Sequence, residues 1–204
     1  MIAIVLPTRS LLFTQVLESI EENRKDFVTK LYVSYADPIP KGHNSLTEKA
    51  LAEGARFIWY VEEDTVPPQD ALKNLVMAKA DIACIDYAVN GWSCITRSRD
   101  TKEILWCGLG CTFVTKEVFQ KLEKEYYRVN QSLRLNDWTW IDNPAKYGGQ
   151  DIWFCMKARE KGFKILQVPG ECKHLKLDEL GQEGVNYGFH KVSEKPKIEK
   201  HQFV

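Results

Sequence analysis

Short, wholly apolar runs alternate with segments whose apolar residues recur every three or four positions. Residues 2–6 (IAIVL) are apolar throughout and are closed by Pro7, the pattern of a strand buried on both faces. Over residues 12–22, Leu12, Val16, Leu17 and Ile20 fall on one helical face. Residues 31–35 (LYVSY) form a β-rich run that ends at Asp37-Pro38. Asn44 is suited to cap a helix continuing through Leu46, Ala50 and Leu51 to Gly54. Residues 56–61 (RFIWYV) give the clearest strand. Pro67-Pro68 then open a helix bearing Ala71, Leu72, Leu75 and Val76, and residues 81–85 (DIACI) form another strand. The first 85 residues therefore spell β-α-β-α-β-α-β. That alternation predicts an α/β fold with a mostly parallel central sheet flanked by helices. In such sheets ligands bind beyond the carboxyl ends of the strands. Thr8-Arg9, Asp37 and Glu62-Glu63-Asp64 occupy those places.

The second half is less regular. Residues 94–97 and 104–107 suit a hairpin, 111–115 (CTFVT) a strand after Gly108 and Gly110, and 116–125 a helix. Residues 128–149 are polar and end in Tyr147-Gly148-Gly149, which reads as a long loop. A helix over 150–161 (QDIWFCMKAREK) stops at Gly162, and 163–168 (FKILQV) is a strand closed by Pro169. There is no internal repeat. Residues 181–204 form a tail rich in Lys and Glu.

Composition narrows the class. A chain of 204 residues suits one domain with its own core, and 44% hydrophobic with 27% charged residues excludes a disordered chain. Lys plus Arg number 28 and Asp plus Glu 28, so capture of nucleic acid by bulk charge is not expected, a local basic patch aside. No run approaches the roughly 18 apolar residues of a membrane span, and MIAIVLPTRS lacks the features of a signal peptide. The expected location is therefore cytoplasmic, without membrane insertion. Six cysteines (84, 94, 107, 111, 155 and 172) then read as free thiols. A zinc set of Cys107, Cys111, Cys172 and His174 is a loose match to ligand spacing.

Glu62 and Asp64 carry the first candidate chemistry. Alternate positions on an extended segment share a face, so the two carboxylates converge at the strand end. A hard divalent cation, Mg or Mn, suits such a pair. The plainer interpretation is a solvated acidic turn before a helix, favoured by the helix dipole. Asp151 likewise could do no more than stabilise its own helix, by about 0.3–1 kcal/mol, and His174 could be a surface histidine.

Order and spacing change that balance. The run FIWYVEEDTVPPQDAL resembles the metal-binding segment of GT-A-type glycosyltransferases, with Glu62, Glu63 and Asp64 at an Asp-x-Asp-like motif. Glu62 departs from the commoner Asp, and its longer arm suits contact through water or ribose hydroxyls. YGGQDIWFCMKAREKGFKILQVPGECKH resembles the late segment of the same superfamily. There Asp151 stands where inverting members carry the catalytic base, and His174 where many members complete the metal shell with Asp64. WCGLGCTFVTKEVFQKL resembles the intervening segment, in which Gly108 and Gly110 let backbone approach a sugar or phosphate. Pro7, Thr8, Arg9, Asp37 and Asn44 occupy positions that, by the same resemblance, belong to the nucleotide site, and His43-Asn44 stands where an Arg-Asn pair often precedes the helix leading to the metal strand. The resemblance spans about residues 2–176 and is closest to glycosyltransferase family 2.

What the resemblance implies is a single GT-A-like, Rossmann-like, nucleotide-sugar-binding domain over 1–180. Residues 1–90 would be the nucleotide half, 91–180 the acceptor half and 181–204 a C-terminal tail. It further implies Mn or Mg, a nucleoside diphosphate sugar donor (UDP being the commonest) and transfer to an acceptor hydroxyl with inversion favoured. The acceptor could be a soluble glycan, a protein, a small molecule or a hydroxymethylated base in phage-type DNA. Trp92, Trp106, Trp138 and Trp140 flank the acceptor side, where sugar faces and bases both stack on indole rings, although core packing explains most single Trp residues. In the tail, Lys191, Lys195, Lys197 and Lys200 favour a polyanion, diluted by Glu194 and Glu199. Two rivals remain. A nucleotidyltransferase would carry a Gly-rich basic loop after the first strand, which LPTRSLLF lacks. A non-catalytic nucleotide-sugar-binding module would show gaps at Asp64, Asp151 and His174, which are all filled.

Overall fold

Strand β1 (Ile2–Pro7) is buried along its whole length because its apolar run leaves no polar face. Around it the chain builds α1 (Thr14–Asn23), β2 (Thr29–Ser34), α2 (Ile39–Ala52), β3 (Phe57–Val61), the short β4 (Thr65–Val66), α3 (Ala71–Met77) and β5 (Ile82–Val89). The second half adds β6 (Trp92–Ser93), β7 (Thr96–Arg97), β8 (Ile104–Trp106), β9 (Cys111–Thr115), α4 (Lys116–Lys121), β10 (Gln131–Arg134), β11 (Thr139–Asp142), α5 (Gln150–Glu160) and β12 (Ile165–His174). This computed structural model describes residues 1–9, 11–35, 37–136, 138–143 and 149–175. The tail over 181–204, with its lysines, and Tyr147-Gly148 lie outside the described residues.

The main sheet runs β2-β1-β3-β9-β5-β12-β4, with β6 on β5. β2, β1 and β3 are mutually parallel, as are β5 and β12, whereas β9 is antiparallel to both β3 and β5. The α/β alternation thus gives the expected sheet with mostly codirectional strands, but β9 separates β3 from β5. Residues on alternate sides of each strand feed two cores. Ala3, Val5, Ile58 and Tyr60 pack with Leu46 and Ala50 of α2, Phe119 of α4 and Phe154 of α5. Ile4, Leu6, Trp59 and Val61 pack with Val16 and Ile20 of α1 and with Leu72 and Leu75 of α3. Each fully buried side chain of this size contributes about 1.5–3 kcal/mol by leaving water. No helix among the described residues is long and apolar enough to cross a membrane.

Several boundaries differ from expectation. α2 starts at Ile39, so Asn44 lies inside the helix rather than capping it. Pro40 falls in its first turn, where the missing N–H costs nothing. α4 is shorter than 116–125. The polar stretch expected as a long loop holds the β10–β11 hairpin, whose pairs run Gln131 to Asp142 through Arg134 to Thr139. β12 continues past Pro169 because the register shifts between Gln167 and Glu171, a bulge that accommodates the missing donor. All six cysteines are free thiols. The zinc set fails because its members are split by the sheet: Cys107 sits in one core near Cys155 (Sγ–Sγ 4.0 Å), and Cys111 and Cys172 sit in the other.

Candidate active site

The apolar strand β3 ends at Val61, and the chain turns at once, Thr65 N–H donating to the Glu62 carbonyl at 3.2 Å. The three following acids part ways in this turn. Glu63 is buried and accepts from both the backbone N–H and the Nε of Arg9, which follows β1. Glu62 accepts from the Tyr87 hydroxyl at 3.3 Å. Asp64 Oδ2 faces His174 Nε2 at 3.6 Å and Arg9 Nη2 at 3.5 Å. The turn is fixed to the far edge as well, since Leu175 N–H donates to the Asp64 carbonyl at 2.7 Å. Strand ends separated by more than 100 residues in sequence are thereby held at one place, with Arg9 a fixed positive charge between two carboxylates.

Asp151 joins them from the first turn of α5, following Gly149, whose φ of 81° favours glycine. Its carboxylate accepts the Ile152 N–H at 2.9 Å. Burial pushes the Asp151 carboxyl up to about 6. Glu62 is pushed up to about 8, first by burial and then by the charges of Asp64 and Asp151. A buried acid raised by neighbouring carboxylates, as Glu62 is, suits a site that receives positive charge or a proton.

Tyr87, at the end of β5, is the residue sequence reasoning missed. Its hydroxyl donates to Glu62 and accepts the Gly110 N–H at 3.2 Å, and its ring stacks on His174 with centroids 5.9 Å apart. Gly108 and Gly110 exist to admit it. A Cβ at Gly108 would lie 2.2 Å from the Tyr87 hydroxyl, and one at Gly110 would lie 2.8 Å from the ring. The resemblance assigns the close approach at this Gly-x-Gly pair to a sugar or phosphate, whereas in the structure the group that fills the space beside both glycines is Tyr87. Gly108→Ala is therefore expected to cost about 1–3 kcal/mol of stability through overpacking, read as a lowered denaturation midpoint.

The remaining candidates group elsewhere. Pro7, Thr8 and Asp37 gather around Ser34 and Gly42: the Thr8 hydroxyl donates to the Ser34 carbonyl at 2.9 Å, and Asp37 pairs with Lys41 at 2.9 Å. Asn44 is engaged three times, donating to the Pro40 and Tyr127 carbonyls and accepting the Tyr127 N–H. Burial pushes its neighbour His43 down to about 4, a neutral core histidine among Tyr60 and Tyr127. Trp106 and Trp140 are half-buried, Trp140 against Trp153 at 4.8 Å, whereas Trp92 and Trp138 are exposed.

Among the described residues no three His, Cys, Asp or Glu side chains stand close enough to cage an ion unaided. The Asp64–His174 pair still suits a divalent cation whose other ligands come from a diphosphate and water, the usual sharing for Mg. His174 Nδ1 is buried without a hydrogen-bond partner among the described residues, and Nε2 is the nitrogen that faces Asp64.

No protein-family model matches the chain, and no curated protein matches it in sequence. Solved structures do match. A197 from STIV is similar with a TM-score of 0.60 at 13% identity, over 86% of this chain and 85% of that one. The catalytic domain of Drosophila beta1,4galactosyltransferase 7, in complex with xylobiose, gives 0.51 at 17% identity, over 81% of this chain and 63% of that one. The nucleoside-diphosphate-sugar pyrophosphorylase of Vibrio cholerae RC9 gives 0.50 at 11% identity, over 84% and 92%. At such identities the likeness is one of fold, and the chain has the single-domain α/β fold, a mixed sheet between helices, common to that sugar transferase and that sugar-nucleotide pyrophosphorylase.

Proposed function

We propose that this chain is a metal-dependent glycosyltransferase that moves a sugar from a nucleoside diphosphate sugar, UDP-linked in the first instance, to an acceptor hydroxyl. The observation that supports it is the convergence of Glu62, Asp64, Asp151 and His174 beyond the ends of β3, β5 and β12. Asp64 and His174 would hold Mn or Mg, which when bound neutralises the charge of the departing diphosphate. Asp151 would accept the acceptor's hydroxyl proton as that oxygen attacks the anomeric carbon and the bond to the diphosphate oxygen breaks. Arrival of the acceptor opposite the leaving group gives inversion. Tyr87 would hold Glu62 and His174 in place through its hydroxyl and its ring.

Release of nucleoside diphosphate from UDP-, GDP- and dTDP-sugars with Mn tests this reading. Formation of nucleotide-sugar from a sugar phosphate and a nucleoside triphosphate would instead make the chain a nucleotidyltransferase, and binding without turnover a non-catalytic module. His174→Ala is expected to weaken Mn binding mildly, because water can replace one neutral ligand. An Mn titration identical to wild type would leave His174 a structural residue only.

A further inference from the structure

A cavity of about 170 Å³ opens at the other end of the sheet from the carboxylates. Its wall includes Ile165–Gln167 at the start of β12, whereas His174 ends that strand. Arg159 lines it from the last turn of α5, whereas Asp151 occupies the first. Eight residues of helix separate those two by roughly 12 Å. Sugar transfer as proposed above uses none of the cavity's residues.

Arg97, Arg159 and Lys164 line the cavity together with one acid, Glu103. Arg97 is held in place, Nη1 donating to the Lys102 carbonyl at 3.1 Å and Nη2 to Gln167 Oε1 at 2.6 Å. The rest of its planar donor fork is thereby pre-organised for an oxyanion. Glu103 is shared between Arg159 at 3.7 Å and Lys164 at 3.5 Å, loose pairs that a stronger anion can displace. Three cations against one carboxylate leave two positive charges in a chain whose total charge is zero. The C-terminal end of α5 subtracts only about half a charge. Apolar surface is present too: Ile104 and Ile165 are buried below, and Leu166 is 46% exposed.

Charge, shape and size point to one ligand class. A phosphate monoester carries about −1.5 to −2 near pH 7 with three strong acceptor oxygens, which matches the surplus. Arginine recognises such oxyanions through paired N–H donors. The cavity is smaller than the roughly 300–1,000 Å³ of pockets that enclose a drug-sized molecule. It therefore suits one phosphate group and its adjoining carbons rather than a whole nucleotide sugar. We propose that this cavity is a second binding site that takes the phosphate monoester group of an anionic ligand.

The full chain is to be titrated by calorimetry at low salt, with EDTA present so that no metal at Asp64 contributes. Glycerol 3-phosphate and a phosphoserine peptide serve as probes, with glycerol and the unphosphorylated peptide as blanks. Saturable one-to-one binding of glycerol 3-phosphate is expected, weakened tenfold or more in Arg97→Gln and in Arg159→Gln. Glu103→Gln is expected to bind several-fold tighter, a gain that a damaged fold does not produce. Equal affinity for the two probes identifies a small phosphorylated metabolite as the source, and a peptide tenfold tighter identifies a phosphorylated protein. Absence of saturable binding in the wild type overturns the proposal, as does wild-type affinity in both arginine variants or in Glu103→Gln.

Discussion

Asp151→Asn is expected to slow sugar transfer by about 10²–10⁴-fold, the usual contribution of a general base, while donor affinity hardly changes. The substitution keeps shape and the ability to accept the Ile152 N–H, but removes the basic carboxylate. A pH profile sharpens the test. Because burial raises the Asp151 carboxyl to about 6, the ionised form that can take a proton is lost as pH falls through that value. The wild-type rate should fall on the acid side of about 6 and level off above it, and the Asn variant should lack that limb. Near-normal turnover would remove Asp151 as the base and bring forward Asp142, exposed on the β10–β11 hairpin. Loss of donor affinity together with turnover would place Asp151 in the donor pocket.

Asp64→Ala is expected to abolish metal-dependent donor binding. A partner that merely orients a metal ligand is worth about 10–100-fold in affinity, so loss of the charged ligand itself should exceed that. The variant also frees Arg9 and His174 from the carboxylate they share, leaving two cationic or neutral donors where an anion stood. Calorimetry with a nucleoside diphosphate, with and without Mn, separates the two consequences. The Mn-dependent part of the affinity should vanish, whereas metal-free binding should hold or improve. Unchanged Mn-dependent affinity would sink the metal assignment.

Much of this site could be read from local pattern. The apolar run before Glu62 fixed where β3 ends, and Gly149 before Asp151 marked the start of α5. The helical expectations failed where two signals competed: Asn44 looked like a cap, but the Pro38-Ile39-Pro40 stretch already permits the helix to begin. The sheet order was not legible, because alternation reports which face a residue takes and says nothing of which strand lies beside it. CTFVT read as a strand, yet its antiparallel insertion between β3 and β5 depends on pairings with residues 57–61 and 82–84. Tyr87 was missed for the same reason. Its role exists only once Gly108, Gly110, Glu62 and His174 have been brought to it.

That inserted strand also governs how the molecule can be made. When residues 1–90 have emerged from a ribosome, β3 and β5 are complete, but each still lacks its neighbour on the side that β9 will fill. Two unsatisfied, strongly apolar edges then coexist in the nascent chain, the condition under which strands pair with the wrong partner. β9 must be translated, turned around and slotted in against both edges before either is protected, and β12 must follow to cover β5 on its other side. The sheet is therefore complete only after β12 has been made. The first and second halves of the chain thus depend on each other for a complete sheet.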